Sequence, residues 1–118
     1  MKPLLLKPAV KDYLWGGQRL PEEYGTPSAG AVTAEAWVLS CHPDGPSRVA
    51  GGAYDGLTLP EALRRMGAAA LGKNAARFRY FPLLIKLIDA HDRLSVQVHP
   101  TDDYAAAHVG GYGKSEMW

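Results

Sequence analysis

The chain has 118 residues, of which 47% are hydrophobic, and this is enough to bury one small core in a single domain. The formal net charge is +1, and no lysine and arginine cluster is interleaved with stacking aromatic residues, so we expect no nucleic-acid partner. The apolar run at residues 4–6 is far too short for a signal-peptide core or a membrane span. The single cysteine, Cys41, cannot form an internal disulfide, which fits a reducing compartment. We therefore expect a soluble, cytoplasmic protein without a membrane partner.

Short extended segments and turns dominate the first third of the chain. Thirteen glycines and nine prolines lie between apolar runs, a pattern typical of turn-rich β-proteins. Residues 4–6 and 10–15 are predicted to be extended pieces that stop at a pair of glycines. Residues 19–31 contain two prolines and two glycines and are predicted to form an irregular loop.

The next predicted strand carries a carboxylate. Residues 32–40 alternate in polarity, which places Glu35 and Trp37 on one face, either at the surface or in a cavity. A second, very short strand is predicted at residues 48–50.

A helix with a clear start signal follows. Residues 58–61 (TLPE) match a capping box, in which Thr58 accepts from the amide of Glu61 and the glutamate reaches back. Apolar residues then recur at helical spacing, and Gly67 or Gly72 is expected to end the helix. This helix is predicted to cover the sheet.

The strongest predicted strand, residues 81–90, is interrupted by Lys86. An unpaired buried ammonium is very costly, so this lysine must reach water, pair with a carboxylate or lose its proton. A surface-facing lysine is the simpler interpretation from the pattern alone.

Polar side chains alternate along residues 94–100 (LSVQVHP). In an extended strand Ser95, Gln97 and His99 share one face, and Pro100 is expected to end the strand because it cannot donate to a ladder. A short helix capped by Thr101 or Asp102 is predicted to follow.

A last strand is predicted at residues 114–118, with Lys114, Glu116 and Trp118 on one face. If it faced the same cavity as Gln97 and His99, an amide oxygen, an imidazole and a carboxylate would converge, a ligand set for a metal of the zinc type. From spacing alone, a half-buried histidine and a solvated glutamate is the simpler interpretation. His108 falls near the end of the predicted helix, and no spacing makes it a ligand.

The amino-acid sequence of five separated segments resembles that of the type I mannose-6-phosphate isomerases, also called phosphomannose isomerases. The segments occur in the order residues 13–17 (YLWGG), 34–37 (AEAW), 82–90 (PLLIKLIDA), 94–100 (LSVQVHP) and 113–118 (GKSEMW). The resemblance implies a mainly β fold of the cupin (RmlC) type. This is an antiparallel β-barrel or jelly roll, here expected to be incomplete, with one or two short helices.

The resemblance also implies a metal centre. It assigns Gln97, His99 and Glu116 as ligands of one Zn²⁺ per site. The family's enzymes continue well beyond the position of Trp118, and the resemblance places their remaining metal-ligating histidine and an active-site arginine in that later part. We therefore expect residues 1–118 to correspond to the N-terminal part of the family's catalytic domain.

Five further residues receive roles from the resemblance. It assigns Lys114, Lys86 and Glu35 to catalysis, Ser95 to contact with the substrate phosphate and Trp15 to the border of the sugar site. The proton-transfer group stays open between Lys114 and Glu35.

The implied activity belongs to carbohydrate metabolism: zinc-dependent interconversion of mannose 6-phosphate and fructose 6-phosphate through a cis-enediol. Three alternatives stay open: a non-catalytic cupin that binds metal or sugar, a foldable β-fragment with an incomplete site, and, more weakly, an iron-dependent cupin oxygenase. An exposed barrel edge would allow self-association with a second copy.

Overall fold

The computed structural model describes residues 3–75 and 77–118. Five short strands and three α-helices alternate along this part of the chain, joined by turns and three 3₁₀ segments. In chain order they are β1 Leu6–Lys7, β2 Ala9–Lys11, α1 Arg19–Tyr24, β3 Glu35–Leu39, β4 Arg48–Val49, α2 Leu59–Met66, β5 Ile85–Ile88 and α3 Asp102–His108. The 3₁₀ segments are Gly52–Tyr54, Ala68–Ala70 and Lys73–Ala75.

The sheet that positions the site has three antiparallel strands in the order β2-β3-β5. In its register Glu35 on β3 lies opposite Lys11 on β2 and Ile88 on β5. Directly opposed residues in a sheet share a face, and so do residues two apart along a strand. Trp37, which lies opposite Lys86, is therefore on the same face as Glu35.

Strand β3 runs through the centre of the core. Its alanines, Ala34 just before the strand and Ala36 within it, are fully buried. Small side chains let neighbouring backbone approach closely, and Gly16 uses this space: a Cβ added there would lie 2.5 Å from Ala34 Cα. Gly16 also forms a β-bridge with Ala90, so the loop before α1 is held against the central sheet.

The predicted irregular loop at residues 19–31 is wrong in its first part, because helix α1 forms there. Pro21 lies in the first turn, where backbone N–H groups have no helical acceptor, so the proline costs no hydrogen bond. Gly25 ends the helix in the left-handed conformation (φ 63°). Leu20 is the buried anchor of this helix.

Helix α2 begins as the sequence predicts. Thr58 accepts from the Glu61 amide, and the Glu61 carboxylate accepts from the Thr58 backbone N–H at 2.9 Å, so both halves of the capping box form. Gly67 ends the helix, which settles the choice between the two glycines.

Two predicted strands are not formed as strands. Residues 94–99 and 114–118 belong to no helix or ladder in the part of the chain that the structure describes. A strand needs the N–H and C=O groups of a neighbour, and here the two segments meet through the Lys114 amide, which donates to the Pro100 carbonyl at 3.1 Å. The strands predicted at 32–40, 48–50 and 81–90 form over shorter ranges.

The prediction of a mainly β fold with antiparallel pairing is confirmed. Strands β1 and β4 form a second, two-stranded antiparallel sheet beside the three-stranded one. The two sheets do not close into a barrel within residues 3–75 and 77–118, as the expected incompleteness implied. No helix in these ranges is long and apolar enough to cross a membrane.

Candidate active site

A cavity of about 450 Å³ opens on the Glu35 face of the three-stranded sheet. All eight residues that the sequence singled out for metal binding, catalysis or substrate binding contribute to its wall. The lining residues are Trp15, Glu35, Lys86, Ile88, Leu94, Ser95, Gln97, His99, Lys114, Glu116 and Trp118.

The floor of the cavity carries a buried ion pair. Lys86 Nζ lies 3.1 Å from Glu35 Oε2, and the glutamate is only 7% exposed. The same carboxylate oxygen accepts a hydrogen bond from Trp37 Nε1 at 2.6 Å. Of the three outcomes open to Lys86 from sequence, pairing with a carboxylate is the one the structure adopts, and it faces the cavity.

The lining also contains a cluster of three ionisable side chains from later in the chain. His99 Nε2 lies 2.6 Å from Glu116 Oε2, and Lys114 Nζ lies 3.0 Å from Glu116 Oε1. The hydrogen bond from His99, and then that from Lys114, hold the pKa of Glu116 below its ordinary value. Glu116 is thus an ionised carboxylate whose two oxygens have different partners.

Helix α3 and the turn after it bring this cluster together. Thr101 caps the helix by accepting from the Tyr104 amide. After helix α3 and the turn that follows it, the Gly113 amide donates to Asp102 Oδ1 at 2.9 Å. Gly113 sits so close to the start of the helix that an added Cβ would lie 2.5 Å from the Asp102 nitrogen. We call this contact between Asp102 and Gly113 the clasp. It brings the segment after Gly113 back beside His99, so that Glu116 contacts His99.

Gln97 and Ser95 line the wall beside His99. Gln97 Nε2 is 3.5 Å from Ser95 Oγ, which directs the amide carbonyl oxygen away from that hydroxyl. The alternating Val96 and Val98 point the other way and are 97% and 93% exposed. Ser95, Gln97 and His99 therefore share a face as predicted, but Leu94, which alternation places on the other face with Val96 and Val98, also lines the cavity.

Trp15 borders the cavity from a turn that is fixed by the end of β5. Its carbonyl oxygen accepts from the His91 and Asp92 amides, both at 3.0 Å. Two residues on, Gly17 leaves room for the buried carboxylate of Asp89, since a Cβ there would lie 2.5 Å from Asp89 Oδ2. These contacts fix the backbone of Trp15 at the rim of the cavity, which its side chain lines.

The donor set offers a cation three different ligand types. His99 and Glu116 already bring an imidazole nitrogen and a carboxylate oxygen to the same point, and Gln97 adds an amide oxygen to the same cavity. No group of three or more His, Cys, Asp or Glu side chains suited to a metal occurs in the described ranges, so a three-ligand site here needs the glutamine amide. A set of nitrogen and oxygen donors fits zinc or a related divalent metal.

Two side chains near the site need the structure to interpret them. Trp37 lies on the Glu35 face, as alternation indicated, but its hydrogen bond to that carboxylate was not predicted. His108 lies outside the cavity lining: its ring stacks on Tyr104 with centroids 4.2 Å apart, and Nδ1 meets the Tyr104 carbonyl oxygen at 3.0 Å.

Comparison with known proteins gives consistent results. A family model described as "Phosphomannose isomerase type I, catalytic domain" matches residues 4–112. A mannose-6-phosphate isomerase of Streptococcus mutans is 42% identical over 117 residues, and one of Bacillus subtilis is 40% identical over 121 residues. Each alignment covers 99% of this chain but 36% of the relative, so the chain spans about a third of their length.

Solved structures give the same result. The crystal structure of the mannose 6-phosphate isomerase from Bacillus subtilis superposes with a TM-score of 0.85 at 38% identity, covering 96% of this chain and 35% of that one. A mutant phosphomannose isomerase from Salmonella typhimurium superposes with a TM-score of 0.71 at 28% identity, covering 92% of this chain and 29% of that one.

Proposed function

The chain belongs to the type I phosphomannose isomerase family, and from this premise we propose that it supplies an active site for the interconversion of mannose 6-phosphate and fructose 6-phosphate. The observation that carries the proposal is the convergence of His99, Glu116 and Lys114 with the Glu35 and Lys86 pair on one cavity. We assign residues 1–118 to the N-terminal part of the family's catalytic domain, and the reaction to carbohydrate metabolism in the cytoplasm.

The proposed metal is one Zn²⁺ held by Gln97, His99 and Glu116. A bound zinc ion supplies Lewis-acid polarisation of the sugar oxygens. The closeness of His99 Nε2 and Glu116 Oε2, 2.6 Å apart, supports the assignment, because two ligands of one ion must lie next to each other. Ser95 beside Gln97 Nε2 supports it too, because this contact leaves the amide oxygen as the donor atom for a cation.

Three side chains of the cavity suit an anionic phosphosugar. Lys86 brings a point charge to the cavity wall, and Ser95 supplies a hydroxyl that can donate to a phosphate oxygen. Trp15 offers an apolar ring at the rim, against which the C–H groups of a sugar can pack. We propose these three residues as the substrate-binding side of the cavity.

Aldose-ketose isomerisation moves a proton from C2 to C1 through a cis-enediol, so one group must take the proton from one carbon and return it to the other. Lys114 and Glu35 are the candidates within reach of the cavity. Glu35 is buried, and one of its oxygens already accepts from Trp37 and Lys86. The Lys114 side chain is 44% exposed, so it is freer to meet a substrate. We therefore propose Lys114 as the proton-transfer group, with Glu35 holding Lys86.

The test is a coupled isomerase assay on the 118-residue chain together with metal analysis of the same sample. Turnover that depends on zinc and is lost in His99→Ala supports the proposal. Stoichiometric zinc without turnover would instead identify a non-catalytic metal- and sugar-binding cupin. A folded chain with neither zinc nor turnover would contradict both functions for this chain.

A further inference from the structure

One tryptophan underlies the ion pair on the cavity floor without lining the cavity. Trp37 Nε1 donates to Glu35 Oε2 at 2.6 Å, and Lys86 Nζ lies 3.1 Å from the same oxygen. Trp37 is 6% exposed and Glu35 is 7% exposed, so water competes weakly for either bond. A hydrogen bond from a neutral donor to a buried carboxylate is among the stronger ones in proteins.

The register of the sheet fixes this triad. Glu35 and Trp37 are two residues apart on β3 and share a face, and Lys86 on β5 is the direct partner of Trp37. The Lys86 ammonium also lies 4.9 Å from the centre of the Trp37 ring, within range of a cation–π attraction. Trp37 therefore contacts Lys86 through its ring and contacts the counter-ion of Lys86 through its N–H.

Trp37 is also held by three residues that do not line the cavity. Its carbonyl oxygen accepts from Ser47 Oγ at 2.9 Å. Gly45 packs on the ring so closely that an added Cβ would lie 2.9 Å from Trp37 Cε3. The Lys11 ammonium lies 4.5 Å from the ring centre. The position of Trp37 is thus supported by contacts that do not involve Glu35.

We propose that Trp37 is a positioning residue that holds the Glu35 carboxylate in one orientation and, through it, fixes the Lys86 ammonium at the cavity wall. A lysine on its own has a flexible stem with much rotamer freedom to lose, and a held counter-ion removes that freedom before an anion arrives. That a fixed Lys86 ammonium favours the binding of a phosphosugar rests on the proposed function. The positioning itself is a property of the chain without metal or substrate, and it is tested in that state.

The test measures how fast acetic anhydride, at a limiting concentration, acetylates Lys86, with peptide mass spectrometry as the readout and the exposed Lys7 as internal reference. The Lys86 side chain is only 21% exposed while its Nζ is held against Glu35, so it must leave the carboxylate before it can react with the anhydride. Trp37→Phe keeps an aromatic ring but removes the N–H. We expect Lys86 to react about fivefold faster relative to Lys7, the factor that one hydrogen bond of average strength contributes. An unchanged ratio in folded Trp37→Phe would overturn the proposal.

Lys11→Met is the matched control, because Lys11 contacts the same ring but not the Glu35 carboxylate. Its Lys86 reactivity should equal that of the wild type, and an acceleration equal to that of Trp37→Phe would show a general packing effect and overturn the proposal. Glu35→Gln should also accelerate Lys86, and adding Trp37→Phe to it should give no further increase. Additive effects would mean that Trp37 does not act through Glu35.

A spectroscopic readout keeps the test decisive if Trp37→Phe does not fold. The Trp37 indole N–H resonance should move upfield in Glu35→Gln, because a charged acceptor makes the stronger hydrogen bond. An indole resonance that is the same in the wild type and in folded Glu35→Gln would overturn the proposal by itself. Neither readout depends on zinc or turnover, so an inactive chain would leave this inference standing.

Discussion

His99 Nε2 lies 2.6 Å from Glu116 Oε2, although the two residues are 17 positions apart in the sequence. The turn that closes this distance contains helix α3 and ends at the clasp between Asp102 and Gly113. The contact brings an imidazole and an ionised carboxylate to one point on the cavity wall. Two of the proposed zinc ligands are therefore arranged in advance by the polypeptide itself.

Removing one of these ligands should weaken zinc binding. In His99→Ala we expect zinc affinity to fall by at least the roughly 10–100-fold that loss of a supporting partner usually costs. The measurement is competition with a chelating indicator. His108→Ala is the matched control, because that imidazole stacks on Tyr104 outside the cavity lining, and it should bind zinc like the wild type. Equal loss in the two variants would contradict the assignment of His99.

The clasp predicts that zinc binding can be weakened by displacing Glu116, without removing any of the proposed zinc ligands. A Cβ at residue 113 would lie 2.5 Å from the Asp102 nitrogen, so Gly113→Ala must displace the segment that carries Lys114 and Glu116. We expect weaker zinc binding and loss of the His99–Glu116 contact, seen as a change in the His99 ring resonances. Gly111→Ala is the control, since no atom lies within 4 Å of its added Cβ. An unaltered site in Gly113→Ala would show that the clasp does not place Glu116.

Lys114 is predicted to be needed for turnover rather than for the fold. If the chain is active, Lys114→Met should lower kcat by about 10²–10⁴, the usual contribution of a positioned acid or base. Lys7→Met, on the exposed strand β1, should leave kcat unchanged. A Lys114→Met variant that keeps zinc and near-normal turnover would remove Lys114 from this role and leave Glu35 as the candidate.

The capping box of α2 predicts how stability depends on pH. The Thr58 hydroxyl and then the Thr58 amide donate to Glu61 and hold its pKa below the ordinary value of about 4.3. Because the folded pKa is the lower one, the contribution of Glu61 is complete above the ordinary value and is lost as pH falls through the folded value. The difference in free energy of unfolding between the wild type and Glu61→Gln should therefore shrink from about pH 6 to about pH 3.

Urea denaturation at the two pH values measures that difference. Thr58→Ala removes the hydroxyl that accepts from the Glu61 amide and should cost about 1 kcal/mol at the higher pH, as the loss of a helix cap usually does. A wild-type advantage over Glu61→Gln that grows as the pH falls would contradict the assigned direction.

The sequence alone determined which residues share a face and where α2 begins. Alternation is a property of any extended backbone, so Ser95, Gln97 and His99 face the cavity whether or not a ladder forms. The capping box is equally local, because Thr58 and Glu61 are three residues apart. Eight of the eleven residues that line the cavity could thus be named without coordinates from the family resemblance, whereas Ile88 and Leu94 could not.

Only the tertiary structure decided how these residues meet. A ladder needs a partner strand, and residues 94–99 and 114–118 pair with none in the described ranges, so the strands predicted there do not form. The pairing of Lys86 with Glu35 depends on the register of β3 with β5, and the closure of His99 on Glu116 depends on the space at Gly113. These are contacts between distant parts of the chain, which local periodicity does not encode, because alternation fixes the direction of a side chain but not what lies opposite it.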